Sequence, residues 1–219
     1  NMGLARQDQG DLKAAREILM KGLEVDAGNP VILNNLGTID LAENRLEEAR
    51  RRFEEAIRED PGYASAYNNL GAVLGMMGEG EKGFEQYLSA AEIDPNYTDA
   101  RFNIARHLLS QGQHREATEM LEKILEIDPR YAKASLQLGL MSAQAGDFAR
   151  ALQLTERALL THPGQPEAHA LRGELLFRLG RRDDAERALR ESLRLRADQP
   201  RVRELLERLK SGATSVPSP

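Results

Sequence analysis

The sequence repeats itself every 34 residues, and that period limits what the chain can become. The stretch Ala64–Tyr97, moved back one period, falls on Pro30–Tyr63; moved forward, it falls on Thr98–Tyr131, then Ala132–Gln165, then Pro166–Gln199. A fixed period between about 20 and 50 residues marks a repeat array, whose units bury their apolar faces only against their neighbours. At 219 residues the length alone would allow one or two domains; the period predicts one continuous stack.

Four columns carry the repeat when each unit is numbered from 1. Position 8 reads Gly3, Gly37, Gly71, Ala105, Gly139 and Gly173, and position 20 reads Ala15, Ala49, Gly83, Ala117, Ala151 and Ala185. Two columns of small residues predict two helices in close approach. Position 15 reads Gly10, Asn44, Gly78, Gly112, Gly146 and Gly180, the two residue types that tolerate a left-handed helix end. Position 32 reads Ala27, Pro61, Pro95, Pro129, Pro163 and Ala197, and proline stops a helix. Between these marks, Leu70, Val73 and Leu74 share one helical face, as do Phe84, Tyr87, Leu88 and Ala91. Each unit therefore reads helix, tight turn, helix, proline turn.

With small residues at 8 and 20, a bulky apolar residue at 24, alanine at 27 and proline at 32, the chain resembles the tetratricopeptide repeat family. Gly37, Ala49, Phe53, Ala56 and Pro61 carry the pattern in one unit, and Gly71, Gly83, Tyr87, Ala90 and Pro95 in the next. The resemblance implies an all-α, right-handed superhelical solenoid of antiparallel helix pairs. The organisation it gives is a partial repeat over 1–29, five repeats (30–63, 64–97, 98–131, 132–165, 166–199), a capping helix over 200–210 and a flexible tail over 211–219. Val202, Leu205, Leu206 and Leu209 form the apolar stripe of that cap. Asn1 falls at position 6 of its unit, so the chain reads as a fragment or processed product whose first helix leaves apolar surface for self-association. Two residues break the pattern: Asp40 stands at an ordinarily apolar position 11, and Arg172 at an apolar position 7. Gly83, with Gly78 and Gly80 nearby, marks the expected most deformable joint.

The first helix of each pair is expected to line the concave side, where positions 2, 6, 9 and 13 share a face. Position 6 reads Asn1, Asn35, Asn69, Asn103 and Gln137, then Leu171. Asparagine is a poor helix-interior residue, so its recurrence off the packing face asks for a reason. A carboxamide donates and accepts, and so grips the main chain of an extended peptide without reading side chains. The alternative is that the amides bridge neighbouring helices. The column resembles the asparagine ladder of O-linked N-acetylglucosamine transferase, though no glycosyltransferase domain is present in this sequence. Asn34 and Asn68, at position 5, are expected to assist at the rim. Ser65, Asp99, Lys133 and Glu167 at position 2, and Thr38, Arg106 and Glu174 at position 9, would tune side-chain preference, with Arg106 and Lys133 together accepting an acidic group.

The carboxylate clamp of chaperone-binding members of the family wants a lysine at position 5, where this chain has Asn34, Asn68, Phe102, Leu136 and Ala170. The four histidines lack metal-ligand spacing, and the run Gly75–Gly83 lacks the ending of a phosphate loop and follows a helix. No cysteine is available for a disulfide or thiolate site. No catalytic residue, metal or cofactor is therefore expected. Net charge is −5: residues 166–219 hold 12 basic against 9 acidic residues, and 1–165 hold 18 against 26. That groove is not basic, which argues against nucleic acid. No apolar run reaches the roughly 18 residues that span a membrane. Arginine outnumbers lysine 24 to 6, as in proteins of GC-rich, often bacterial, genomes. The expectation is a soluble, non-enzymatic adaptor, cytoplasmic or periplasmic, that binds an extended or helical segment of another protein. A self-assembling array, or the interaction arm of a larger protein, is the alternative.

Overall fold

The computed structural model describes the backbone of residues 2–211 and the side chains of 12–211; Asn1 and the expected tail over 212–219 lie outside the described residues. The described residues form helices alone. In chain order they are α1 (Met2–Val25), α2 (Pro30–Ala42), α3 (Leu46–Glu59), α4 (Ala64–Met76), α5 (Gly80–Ile93), α6 (Thr98–Ser110), α7 (His114–Ile127), α8 (Ala132–Gln144), α9 (Phe148–Thr161), α10 (Pro166–Arg178), α11 (Arg182–Leu195) and α12 (Pro200–Lys210). The chain divides into two compact units, Asn1–Gln113 and His114–Pro219. Contacts in an array run only between neighbours, so no core has to span all the repeats.

The turn column behaves as its residue types dictate. Asn44, Gly78, Gly112, Gly146 and Gly180 all take positive φ, between 58° and 83°. Each lets the next residue's N–H reach a carbonyl five residues back, as in Arg45 N to Asp40 O at 2.8 Å and Glu79 N to Leu74 O at 2.8 Å. These bonds satisfy carbonyls that a helix end leaves open. Gly10 departs from the pattern, because α1 runs through it without a turn. Two short helices are marginal without a packing partner, whereas glycine inside one long helix costs only about 1 kcal/mol. The other ends close as Pro61, Pro95, Pro129 and Pro163 require. At Ala197, where proline is missing, Gln199 does the work: its buried amide donates to Ser192 O and Arg196 O at 2.9 and 2.7 Å.

In the first unit Phe53, Leu70, Val73 and Leu74 pack with Ala49, and Leu33 packs with Ala56 and Ala66. Position 24 fills the space that position 8 leaves empty: a methyl on Gly37 would come within 2.7 Å of the Phe53 ring. The pair Gly71 and Gly83 is tighter still, since a methyl on either would lie 2.7 Å from the other's carbonyl oxygen. Gly83 is thus buried at a close helix crossing, not at the loose joint expected of it. Asp40 is 2% exposed and receives Arg16 of α1 at 2.9 Å and Arg45 at 2.8 Å, with Glu43 completing the cluster. In the second unit α12 joins α10 and α11 through Leu175, Leu189, Val202, Leu205 and Leu209. Arg172 there is half-buried and meets Glu156 at 3.2 Å.

Candidate functional site

The position-6 residues of the first unit sit on α2, α4 and α6, the first helices of three successive repeats. Asn35 is exposed, while Asn69 and Asn103 are half-buried. Four amides form a directed relay across the three helices. Asn103 Nδ2 donates to Asn68 Oδ1 at 2.8 Å, Asn68 Nδ2 to Asn69 Oδ1 at 3.4 Å, and Asn69 Nδ2 to Asn34 Oδ1 at 2.9 Å. Asn34 and Asn68 are only 6% and 8% exposed, so they stand behind the face and not at its rim. A buried amide without a partner costs about 1–3 kcal/mol, which is the physical reason the two columns meet. The relay fixes the rotamers of Asn69 and Asn103. Asn69 keeps a second N–H and a lone pair, and Asn103 a second N–H and its Oδ1.

Around the relay the first helices also present Thr38, Ser65 and Arg106. Thr38 is exposed, but its hydroxyl donates to Asn34 O at 3.0 Å within its own helix. Tyr97 is half-buried, and burial raises its phenol above the ordinary tyrosine value, with Ser65 opposing the shift. Arg106 is exposed and close enough to Tyr87 to oppose the upward shift that burial gives its phenol. Met76 and Val31, at 57% and 49% exposed, add apolar surface.

Gln137 and Lys133 belong to α8 of the second unit. Gln137 is half-buried, and the exposed Lys133 ammonium lies 5.7 Å from the centre of the Tyr131 ring. The chemistry of this unit differs. Leu171 takes position 6 of α10, and two cavities of about 340 and 440 Å³ open along α8, α10 and α12. Among the described residues no three histidine, aspartate or glutamate side chains gather to hold a metal ion. No helix among them is long and apolar enough to cross a membrane.

The family description "tetratricopeptide repeat" matches residues 7–82 and 142–209, and two further models with the same description match 62–130 and 102–166. No curated protein matches the chain. Solved structures do. The Cut9–Hcn1 hetero-tetramer of the APC/C aligns with a TM-score of 0.78 at 19% identity over 93% of this chain, which spans only 40% of that chain. PilF of Pseudomonas aeruginosa aligns at 0.77 and 19% identity, covering 96% of this chain and 94% of its own. YrrB, described as a TPR protein with an unusual peptide-binding site, aligns at 0.59 and 20% identity, covering 90% and 99%. At such identities the similarity is one of fold.

Proposed function

This chain belongs to the tetratricopeptide repeat family, and from that premise we propose that it is a non-enzymatic interaction scaffold whose first-helix faces bind an extended segment of another protein. The amides do bridge neighbouring helices, the alternative role the sequence allowed, and the reading rests on what that relay leaves over. It holds Asn69 and Asn103 in fixed rotamers with donors and acceptors to spare, and Asn35 stands exposed on the same column. Amides held ready in this way would bind a main chain at a lower entropic cost than mobile ones. In the first unit Arg106 would receive an acidic side chain; in the second, taken by itself, Gln137 and Lys133 of α8 would do the same work. Each contact is weak, and affinity comes from several repeats acting on one segment.

The test is capture of partners from source lysate by the wild type beside Asn35→Ala and the triple variant Asn35→Ala/Asn69→Ala/Asn103→Ala. Asn35→Ala leaves stability unchanged and weakens capture. The triple variant loses capture while keeping its helical circular dichroism, at reduced stability because Asn34 and Asn68 lose their partners. Undiminished capture by a folded triple variant refutes the amide reading. A second reading, self-association, rests on α1, where Ile18 and Val25 are 70% and 90% exposed on one face. It requires a molar mass that rises with concentration in light scattering and falls back in Ile18→Ser/Val25→Ser.

A further inference from the structure

The turn between one repeat and the next satisfies its own N–H groups. The carboxylates of Asp94 and Asp128 accept Asn96 N and Arg130 N, each at 2.9 Å. The carbonyls of the same aspartates accept Tyr97 N and Tyr131 N at 3.0 and 3.1 Å. The proline between them brings no N–H, and its carbonyl, at position 32, is left over. Backbone carbonyls seek a donor, so the question is what supplies one. At three turns a side chain at position 4 of the following helix reaches back six residues. Arg101 Nε donates to Pro95 O at 2.7 Å, His169 Nε2 to Pro163 O at 2.8 Å and Arg203 Nη2 to Ala197 O at 2.7 Å. Leu33 and Tyr67 hold position 4 in the two earlier repeats, without such a bond among the described residues.

The α7–α8 turn keeps the bond by another route. Its position 4 is Ser135, whose hydroxyl, one bond beyond Cβ, is too short to reach Pro129. The residue is 1% exposed and its Oγ has no partner. Pro129 O nevertheless receives a donor at 2.8 Å, Arg157 Nε, which comes from α9 and lies 28 residues further along the chain. Arg157 stands at position 26, where the other repeats have Glu55, Ser89, Lys123 and Glu191. The one arginine of that column therefore falls in the repeat whose position 4 is too short. A donor at position 4 ties a turn to the helix it opens, whereas Arg157 ties this turn to the helix after that. The turn leads straight into Tyr131 and Lys133, whose ammonium lies 5.7 Å from the centre of the Tyr131 ring.

We propose that Arg157 is a positioning residue: it straps the α7–α8 turn to α9 in place of the missing position-4 donor, and so fixes the start of α8, where Lys133 stands. The strap is a property of the turn itself. Its use in recognition rests on the scaffold reading, in which Lys133 receives an acidic side chain.

The experiment uses the full chain with Arg157→Met, which keeps an unbranched stem and removes the N–H donors, and Arg157→Lys, which keeps a donor at similar reach. Amide hydrogen exchange, read by nuclear magnetic resonance, should rise about fivefold at Arg130 and Tyr131 in Arg157→Met, as for the loss of one hydrogen bond, and stay unchanged at Leu138 and Leu152. Arg157→Lys should remain within about twofold of the wild type. No rise in Arg157→Met, an equal rise in Arg157→Lys, or an equal rise at Leu138 and Leu152 would each overturn the strap. Titration with the capped peptide acetyl-Ser-Asp-Ser-amide reads the positioning. The Lys133 signals should shift saturably in the wild type, and Arg157→Met should need about threefold more peptide, because a turn left free must be ordered on binding. Equal titration of the two proteins removes the positioning of Lys133. No Lys133 shift in the wild type removes the acidic-side-chain reading and the positioning with it, while exchange alone decides the strap.

Discussion

Replacing Gly83 by alanine puts a methyl group where the structure has a carbonyl oxygen. The added Cβ would lie 2.7 Å from Gly71 O and 3.3 Å from Gly75 N, both backbone atoms of the facing helix. A flexible side chain would swing aside, but here α4 and α5 must move apart. Overpacking of this kind costs about 1–3 kcal/mol. Alanine returns about 1 kcal/mol as the better helix former, so the net loss is about 1 kcal/mol. Gly75 supplies the control. It also lies inside a helix, it is exposed, and nothing stands within 4 Å of its added Cβ. Gly75→Ala should therefore gain about 0.5–1 kcal/mol. The two variants should differ by roughly 2 kcal/mol, or about 4–8 °C in melting temperature for a chain of this size. Thermal unfolding followed by circular dichroism at 222 nm reads the difference. Alanine stands at the same column as Ala49, Ala151 and Ala185 without strain, so the cost belongs to the spacing of α4 and α5 and not to the repeat in general. If Gly83→Ala stabilises as much as Gly75→Ala, the close crossing does not constrain the fold and the reasoning fails.

In the amide relay, Asn69→Ala should lose about 1–3 kcal/mol by orphaning Asn34, while Asn34→Leu/Asn69→Ala should recover much of it; a double-mutant cycle in urea measures the coupling, and strict additivity would refute it. The raised phenols of Tyr87 and Tyr97 give an alkaline limit. The unfolded chain releases those protons first, so the stability these two groups contribute is present below the ordinary tyrosine value near 10 and lost as pH rises through the folded value. Unfolding midpoints between about pH 9 and 11 should fall less steeply in Tyr87→Phe/Tyr97→Phe than in the wild type, and parallel slopes would refute this. Around Asp40, removing one arginine leaves the other, so Arg16→Ala should cost about 1 kcal/mol, whereas Arg16→Ala/Arg45→Ala should cost more than the sum of the single variants, in the range of about 3–5 kcal/mol for a buried charge left alone. Chemical denaturation of the three variants checks it, and a sum equal to the double would show that the two arginines act independently.

The repeat, its turns and its small-residue columns were legible because each answers a local backbone demand. Asn44 and four glycines stand where positive φ is needed, and nothing beyond the turn decides that. One of the two partners of Asp40 was not legible, since Arg16 comes from another helix 24 residues away and no column connects them. Gly10 misled for the opposite reason: it has the turn residue, but α1 runs through it as one helix.

The asparagines show where column reading stops. Residues compared at the 34-residue period are equivalent to one another, but the residues that touch are separated by 35: Asn34 with Asn69, and Asn68 with Asn103. Position 5 of one helix meets position 6 of the next, so contact follows the offset between adjacent first helices and not the period. The two positions therefore have different duties, although both are asparagine. Position 5 is buried and holds its neighbour; position 6 is held and faces outward. That division also explains why the column can end. From Phe102 onward position 5, which continues as Leu136 and Ala170, holds no buried amide to satisfy, and leucine at position 6 leaves no orphan behind it. The change from Gln137 to Leu171 is then permitted by the packing.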